Sequence, residues 1–471
     1  MPPITTKDRT LLSAISRMSF GNPFLPERIE LERQILRRDF IKGEPVWSIN
    51  VDAPEADREN VWTIAARADA LLDHLRPHIA AATPEDRSLY EDVALHVLYQ
   101  RYYLRIVSAN GNWKFYKEFA VDWQHYTGTF AARDSAPHVF ALYHQIQRAF
   151  HNIYANIIGN SMPSARLRAS VWQSIFTHDM HRYRRTLYSR MGDFATLITG
   201  PSGSGKELVA RAIALSRYLP FDATRLAFPT DGESYFHAIN IAALSPALVE
   251  SELFGHARGA FTGAVGDRRG WLEECPAHGS VFLDELGELD ASIQVKLLRV
   301  IETRTFQPVG STTTRRFQGK LIAATNRDLA AEMQAGRFRE DFYYRLCSDQ
   351  IVTPPLRDQL NDLHDLIRYM ARRVAGEEGD MLAAEVQQYV STQLGATYQW
   401  PGNYRELEQC VRNVLIRKSY RPVAMATKSA MSADELVTSR CREVFRETRS
   451  YAETARKLGL NWRTVKARIA D

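Results

Sequence analysis

The chain has 471 residues, 45% of them hydrophobic and 24% charged, the composition of a globular protein of two to four domains at roughly 100–200 residues each. No apolar run approaches the ~18–20 residues of a membrane span, so no membrane partner is expected. The opening MPPITTKDRT lacks the basic-then-apolar order of a signal peptide, and a cytoplasmic location is expected. Cys275, Cys347, Cys410 and Cys441 form no CxxC pair and point to neither a zinc site nor a disulfide framework. The net charge is +5, and residues 421–471 alone carry 11 Lys/Arg against 6 Asp/Glu, a local surplus of 5. A polyanion partner is therefore expected at the C-terminal end.

In chain order, residues 1–165 read as a mainly helical regulatory domain, with PERIELERQILRRDF and ADALLDHLRPHIAAA in helical spacing. Residues 90–154 are dense in Tyr, Phe and Trp, which form either a core or the lining of a pocket for an apolar ligand. His178 and His181 stand three apart, as ordinary histidines or as metal ligands. From residue 194 to 355 short apolar runs alternate with helical patterns, the signature of an α/β fold with a parallel sheet. In ASIQVKLLRVIE, Ile293, Leu297, Val300 and Ile301 share one face. Residues 356–420 read as helical again. RPVAMATKSAMSAD reads as a linker, and a small helical unit closes residues 421–471.

LITGPSGSGKE places an apolar strand before Gly200, Pro201, Ser202, Gly203, Ser204, Gly205 and Lys206, and the helical ELVARAIALS after them. This is G-x-x-x-x-G-K in its strand–turn–helix setting. Backbone N–H groups wrap phosphates, Lys206 reaches the β and γ oxygens, and the helix N-terminus adds its positive end. Glu207 stands where the general pattern has Ser or Thr. In GSVFLDELGEL an apolar strand ends in Asp284 and Glu285, placed to hold Mg²⁺ and to polarise the attacking water of ATP hydrolysis. Thr325 and Asn326, closing LIAATN, either sense the γ-phosphate or cap a strand.

With GPSGSGKE, ESELFGHARGAFTGA, GSVFLDELGEL, AATNRDL, FREDFYYRL, PPLRD and WPGNYRELE, residues 194–417 resemble the AAA+ ATPases, specifically the bacterial enhancer-binding proteins that activate sigma-54 RNA polymerase. The resemblance implies an AAA+ ATPase domain over 166–420, with its helical lid at 356–420, and accounts for Glu207, since the family commonly has GKE. It implies that Gly259, Ala260, Phe261, Thr262, Gly263 and Ala264 form the loop that contacts sigma-54. It implies that Asn240 restrains Glu285 until the γ-phosphate is present. Arg339 and Arg345 match the arginines offered to a neighbouring subunit's nucleotide, although by spacing alone they equally form a solvated face. Arg405 matches the lid arginine that reaches the phosphates. A homo-oligomer follows, a hexameric ring when active and a possible dimer at rest.

Around Arg405 the sequence reads locally. Asn403 is placed to cap a helix, with Glu406 three residues on, and Leu407, Cys410, Val411, Val414 and Leu415 form a buried stripe.

SYAETARKLGLNWRTVKARIAD gives two short helices around Gly459, with Leu458, Leu460, Val465 and Ile469 as core. Asn461 caps the second helix, and Trp462, Arg463, Thr464, Lys466 and Arg468 lie on or near its exposed side. This resembles the Fis-type helix-turn-helix of the same family and implies binding to upstream DNA. No family is recognised from the residues of 1–165, and a small-molecule or protein signal is expected there. The reading is a sigma-54-dependent transcriptional activator. Its rivals are another AAA+ remodelling ATPase acting on other proteins and a non-catalytic DNA-binding repressor that kept the fold.

Overall fold

The computed structural model describes residues 4–42, 59–128, 130, 132, 134–229, 235–422 and 433–469. Seven helices come first: α1 (Thr6–Phe20), α2 (Glu27–Leu36), α3 (Glu59–Leu75), α4 (Pro84–Val107), α5 (Tyr116–Thr127), α6 (Ala136–Asn156) and α7 (Met162–Phe176). Local signals set their starts. Thr5 accepts from the Asp8 N–H and Thr83 from the Asp86 N–H, and Pro84 occupies a first-turn position where its missing N–H costs nothing.

An α/β unit follows: β1 (Thr196–Thr199), α8 (Lys206–Ala214), β2 (Phe236–Asn240), α9 (Pro246–Phe254), β3 (Gly255–His256), β4 (Arg268–Arg269), β5 (Ser280–Asp284), α10 (Ala291–Thr303), β6 (Thr305–Phe306), β7 (Arg315–Arg316), β8 (Lys320–Thr325), α11 (Glu340–Leu346) and β9 (Asp349–Val352). Five strands make one sheet in the order β2-β5-β8-β1-β9, and every pairing is parallel. All six residues of β8 are buried, which is why it reads as a continuous apolar run rather than an alternation. The lid is α12 (Leu363–Ala375), α13 (Gly379–Tyr389) and α14 (Asn403–Arg417). The C-terminal unit is α15 (Ala433–Thr448), α16 (Tyr451–Leu458) and α17 (Trp462–Ile469). The expected fold class is the one observed: a parallel α/β sheet with a helical lid, preceded by helices and followed by a three-helix unit.

The aromatic density of residues 90–154 is core. Tyr116, Phe119, Phe140 and Tyr143 are buried together, and rings from beyond α8 complete the cluster. Phe221 lies 4.7 Å from Tyr116, and Phe228 stacks on His144 at 4.0 Å. The first helices and the α/β unit thus share one hydrophobic cluster. His181 stacks on Phe20 at 4.0 Å, and its Nδ1 lies 3.5 Å from Asp92. Among the described residues no group of three His, Cys, Asp or Glu side chains is arranged to hold a metal.

The division expected at residue 165 falls inside α7. That helix, with α6, packs on α8 and closes a cluster containing Phe24, Ile153, Trp172, Phe176, Val209 and Ile213. α6 also holds the backbone that leaves α8, from its C-cap Leu215 to Arg217. Here Gln145 donates to Ser216 O at 3.0 Å, Arg148 to Arg217 O at 3.1 Å and Asn152 to Leu215 O at 3.1 Å. The Arg148 cation also suits the negative end of that helix. The linker expected at 421–434 lies outside the described residues over 423–432, and Ala433 already begins α15.

A chain beginning at residue 166 loses these donors and half of each shared cluster. It is expected to lose its cooperative thermal transition and its near-ultraviolet circular dichroism. A fragment that melts cooperatively at the full-length temperature contradicts this packing account.

Candidate functional site

Because the sheet is parallel, its strands all end at one edge, the edge where α/β folds bind ligands. Register sets the neighbours. Thr199, immediately before the phosphate loop, pairs with Thr325; Asp284 pairs with Asn240. The expected phosphate, carboxylate and sensor residues are therefore adjacent strand ends.

The loop itself needs glycine for space. Gly200, Gly203 and Gly205 have φ of 148°, 75° and 85°. A Cβ on Gly200 would stand 2.1 Å from Thr353 Oγ1, and one on Gly203 would stand 2.5 Å from Gly402 O. Gly205 opens α8, so the free N–H groups of that helix face the loop. Lys206 is buried and donates to Gly200 O at 3.0 Å and Pro201 O at 3.1 Å. Burial lowers the pKa of its ammonium, and the carboxylates of Glu285 and Asp284 oppose that shift. The lysine and the two acidic residues thus share one electrostatic environment. Ser204 Oγ is fixed by Pro201 O at 2.7 Å and by Thr353 at 2.6 Å. Glu207 is exposed and lies 3.7 Å from Arg211, along the outside of α8.

Glu285 has φ of 56°, in the left-handed region that a glutamate seldom occupies, and its N–H donates to Asp284 Oδ1 at 3.0 Å. Strain of this kind is held at functional positions by surrounding structure. Neither the Glu285 carboxylate nor the Asn240 amide has a hydrogen-bond partner among the described residues, so the restraint implied by the resemblance is not formed here. Thr325 is buried, and its Oγ1 accepts from Arg327 N–H at 3.1 Å; Asn326 is exposed.

The lid closes over this loop. Arg405 Nη1 donates to Ser202 Oγ at 2.9 Å. Asn403 does not cap α14 as expected. It has φ of 53°, and its side chain bonds to Ser202 O and to Leu356 N–H, while Glu406 accepts from Gly402 N–H. The cap begins one residue earlier because a left-handed residue cannot serve as the extended N-cap. Leu407, Cys410, Val411 and Val414 form the buried stripe, but Leu415 is 46% exposed, one residue further round the helix than Val414. Thr353 is a site residue that sequence reasoning missed. Its only signal was a hydroxyl directly after β9 and before Pro354-Pro355.

Arg339 is the N-cap residue of α11 and Arg345 lies in its last turn, and among the described residues neither bonds to the chain's own phosphate loop. Arg339 pairs with Asp341 at 2.7 Å and Arg345 with Glu302 at 3.1 Å, and both side chains are exposed.

Residues 257–267 leave the body between β3 and β4. The turn is closed by Gly259 N–H to Ala264 O at 2.9 Å, Ala264 N–H to Phe261 O at 3.0 Å and Arg258 N–H to Asp267 Oδ1 at 2.8 Å. Gly259 and Gly263 have φ of 80° and 100° with nothing near, so they serve the turn rather than a close approach. Phe261 is 44% exposed, its ring set edge-to-face against His256 with centroids 4.9 Å apart; Ala260 leans on Gly310, and Ala264 is buried. Thr262 is exposed.

In the C-terminal unit Cys441, Ala455 and Val465 form the core with Tyr451, Leu458, Leu460 and Ile469 against them. Asn461 caps α17 by accepting from Arg463 N–H at 2.9 Å. Trp462, Arg463, Thr464 and Lys466 are exposed, with the Arg463 guanidinium 5.7 Å above the Trp462 ring. Arg468 is half-buried and donates to Thr438 Oγ1 at 3.0 Å, so it joins α17 to α15.

The glycine cradle, the buried lysine and the paired carboxylates at one strand edge fit a nucleoside triphosphate with Mg²⁺. Asp284, at the end of β5, could hold the metal, and Glu285 beside it could accept a proton from water. Glu285→Gln is expected to bind a fluorescent ATP analogue as the native chain does and to lose at least about 100-fold in phosphate release, the lower range for removing a general base. Native turnover in that variant contradicts the assignment.

The sequence profile of the Sigma-54 interaction domain matches residues 176–352. The Nif-specific regulatory protein of Enterobacter agglomerans is 42% identical over 224 residues, covering 48% of this chain and 40% of its own length. The luminescence regulatory protein LuxO of Vibrio campbellii is 40% identical over 247 residues, covering 52% and 51%. The transcriptional regulatory protein ZraR of Klebsiella oxytoca is 40% identical over 296 residues, covering 59% and 63%. The chain thus spans between 40% and 63% of the length of these relatives. Residues 176–352 thus match the Sigma-54 interaction domain, and the chain is similar to these regulatory proteins over about half of its length.

Proposed function

We propose that the protein is a sigma-54-dependent transcriptional activator that hydrolyses ATP in an oligomeric ring, with upstream DNA held by its C-terminal unit. The observation that carries the reading is the coexistence, in one α/β unit, of the Lys206, Asp284 and Glu285 edge with an exposed turn at 257–267 built on that unit's own hairpin. Chemistry inside the unit thus has a surface element to move.

In this reading Gly200 to Lys206 and Arg405 hold the phosphates, and Glu207 stands beside them on α8. Asp284 holds Mg²⁺, which when bound neutralises charge on the β and γ oxygens. Glu285 orients and deprotonates the attacking water. Asn240 and Thr325-Asn326 register the γ-phosphate from the flanking strands. Arg339 and Arg345, exposed and remote from their own loop, reach a neighbour's nucleotide, which makes assembly, most simply as a hexamer, a condition for turnover. Gly259 to Ala264 contact sigma-54 through Phe261 and Thr262. Asn461, Trp462, Arg463, Thr464 and Lys466 face DNA, with Arg468 bracing the helix. Three functional regions are assigned, the first two joined through α7 and shared cores: 1–165 for a small-molecule or protein signal, 166–420 for ATP hydrolysis and 421–471 for DNA. A cytoplasmic protein acting on RNA polymerase is the consistent setting. Among the described residues no helix is long and apolar enough to cross a membrane.

Thr262→Ala separates the two activities. It is expected to retain ATPase within about twofold, because the turn has no contact with the phosphate loop, and to fail in opening a sigma-54 promoter. Normal promoter opening by this variant overturns the loop assignment. Assembly has its own test. Inactive Arg345→Ala chains mixed with inactive Glu285→Gln chains are expected to regain turnover at junctions that receive both intact halves. A mixture as inactive as its components contradicts a shared site.

A further inference from the structure

The contacts between lid and phosphate loop converge on a residue that the ATPase reading leaves without a role. In a phosphate loop the N–H groups turn inward to the ligand, and carbonyls are left on the outside. Two of these outer carbonyls are taken by the start of α14. Asn403 Nδ2 donates to Ser202 O at 2.9 Å, and Tyr404 N–H donates to Gly203 O at 3.0 Å. The next residue, Arg405, bonds to Ser202 Oγ at 2.9 Å.

Asn403 is buried, and both ends of its amide are used, the second accepting from Leu356 N–H at 2.8 Å. Its orientation is fixed by its partners: Leu356 offers only a donor and Ser202 only an acceptor. Leu356 begins the segment that carries the chain from the sheet into the lid. One side chain therefore joins the phosphate loop, the connection into the lid and the helix that bears Arg405. Its backbone is in the left-handed region, which asparagine tolerates better than most residues, so the unusual φ and the two bonds select the same residue type.

We propose that Asn403 is a positioning residue that fixes the lid to the Ser202–Gly203 backbone and thereby sets Arg405 over the nucleotide. The proposal rests on the ATPase reading. When the loop backbone adjusts around phosphates, the lid must follow it, because the amide leaves no slack between them.

The test uses the full-length chain and a double-mutant cycle. Asn403→Asp keeps the Leu356 bond and tolerates the same φ, but turns a carboxylate oxygen toward Ser202 O. Asn403→Gly keeps the backbone and removes both bonds. Each is expected to raise KM for ATP about tenfold, the cost of a buried acceptor left without its donor. Arg405→Ala is expected to raise KM by a similar factor in the native chain, and by less than threefold in either Asn403 background, because residues acting as one unit are not additive. A merely structural role would lower the active fraction, and with it kcat, without changing KM. Native KM in both Asn403 variants, or effects that multiply with Arg405→Ala, overturns the proposal. A native chain that binds no fluorescent ATP analogue removes the ATPase reading and this proposal with it, whereas normal binding with indifferent Asn403 variants removes this proposal alone.

Discussion

The parallel register of the central sheet is the constraint on which the rest depends. A parallel pair brings both strand ends to the same edge, so β1, β5, β8 and β2 deliver Thr199, Asp284, Thr325 and Asn240 side by side. No loop needs to search for its partner. The glycines after β1 then admit the close approaches of Thr353 and of the lid, and the chain turns through the left-handed region at Glu285 directly after β5. The remainder of the α/β unit serves this edge: α8 offers its N-terminus, α14 lies across the loop, and the β3–β4 hairpin carries Phe261 outward.

The helices that precede the sheet are not a separate bead on a string. α6 supplies the side chains that bond the backbone carbonyls just past α8, and Phe221 and Phe228 return from the α/β unit into the first helical core. Asp362, at the threshold of the lid, accepts from Asn160 N–H at 2.6 Å and from Ser164 Oγ at 2.6 Å. The helical unit thus grips the far end of the phosphate helix and the root of the lid together. In the proposed function, a signal bound by those helices would act through these contacts on both sides of the nucleotide site. It can bias them only by as much as it prefers one arrangement over the other.

Much of the site was legible because its rules are local. Strands buried on both faces read as FATLITG and KLIAATN, and a glycine-rich turn between strand and helix has few alternative meanings. The GAFTGA turn was legible from what surrounds Phe261, namely small residues unable to enclose it. Asn403 was misread for the same reason that the others were read. By local rules an Asn before a helical run with Glu three residues on is a cap, and only the fold brings Ser202 and Leu356 to its amide. Leu415 was drawn into the buried stripe by spacing, yet the lid gives α14 a single covered face. The shared aromatic core could not be read at all, since Tyr116 and Phe221 are more than a hundred residues apart and no periodicity connects them.

In the proposed function, ATP turnover at the shared strand edge drives the 257–267 turn against sigma-54. The most direct measurement is promoter melting in a purified system, detected by permanganate reactivity of unpaired thymines, with sigma-54 RNA polymerase, promoter DNA and the full-length chain. Melting with ATP, and none with a non-hydrolysable analogue that binds equally well, is the result predicted. Equal melting with the analogue, or melting by polymerase with its principal sigma factor in place of sigma-54, would contradict it.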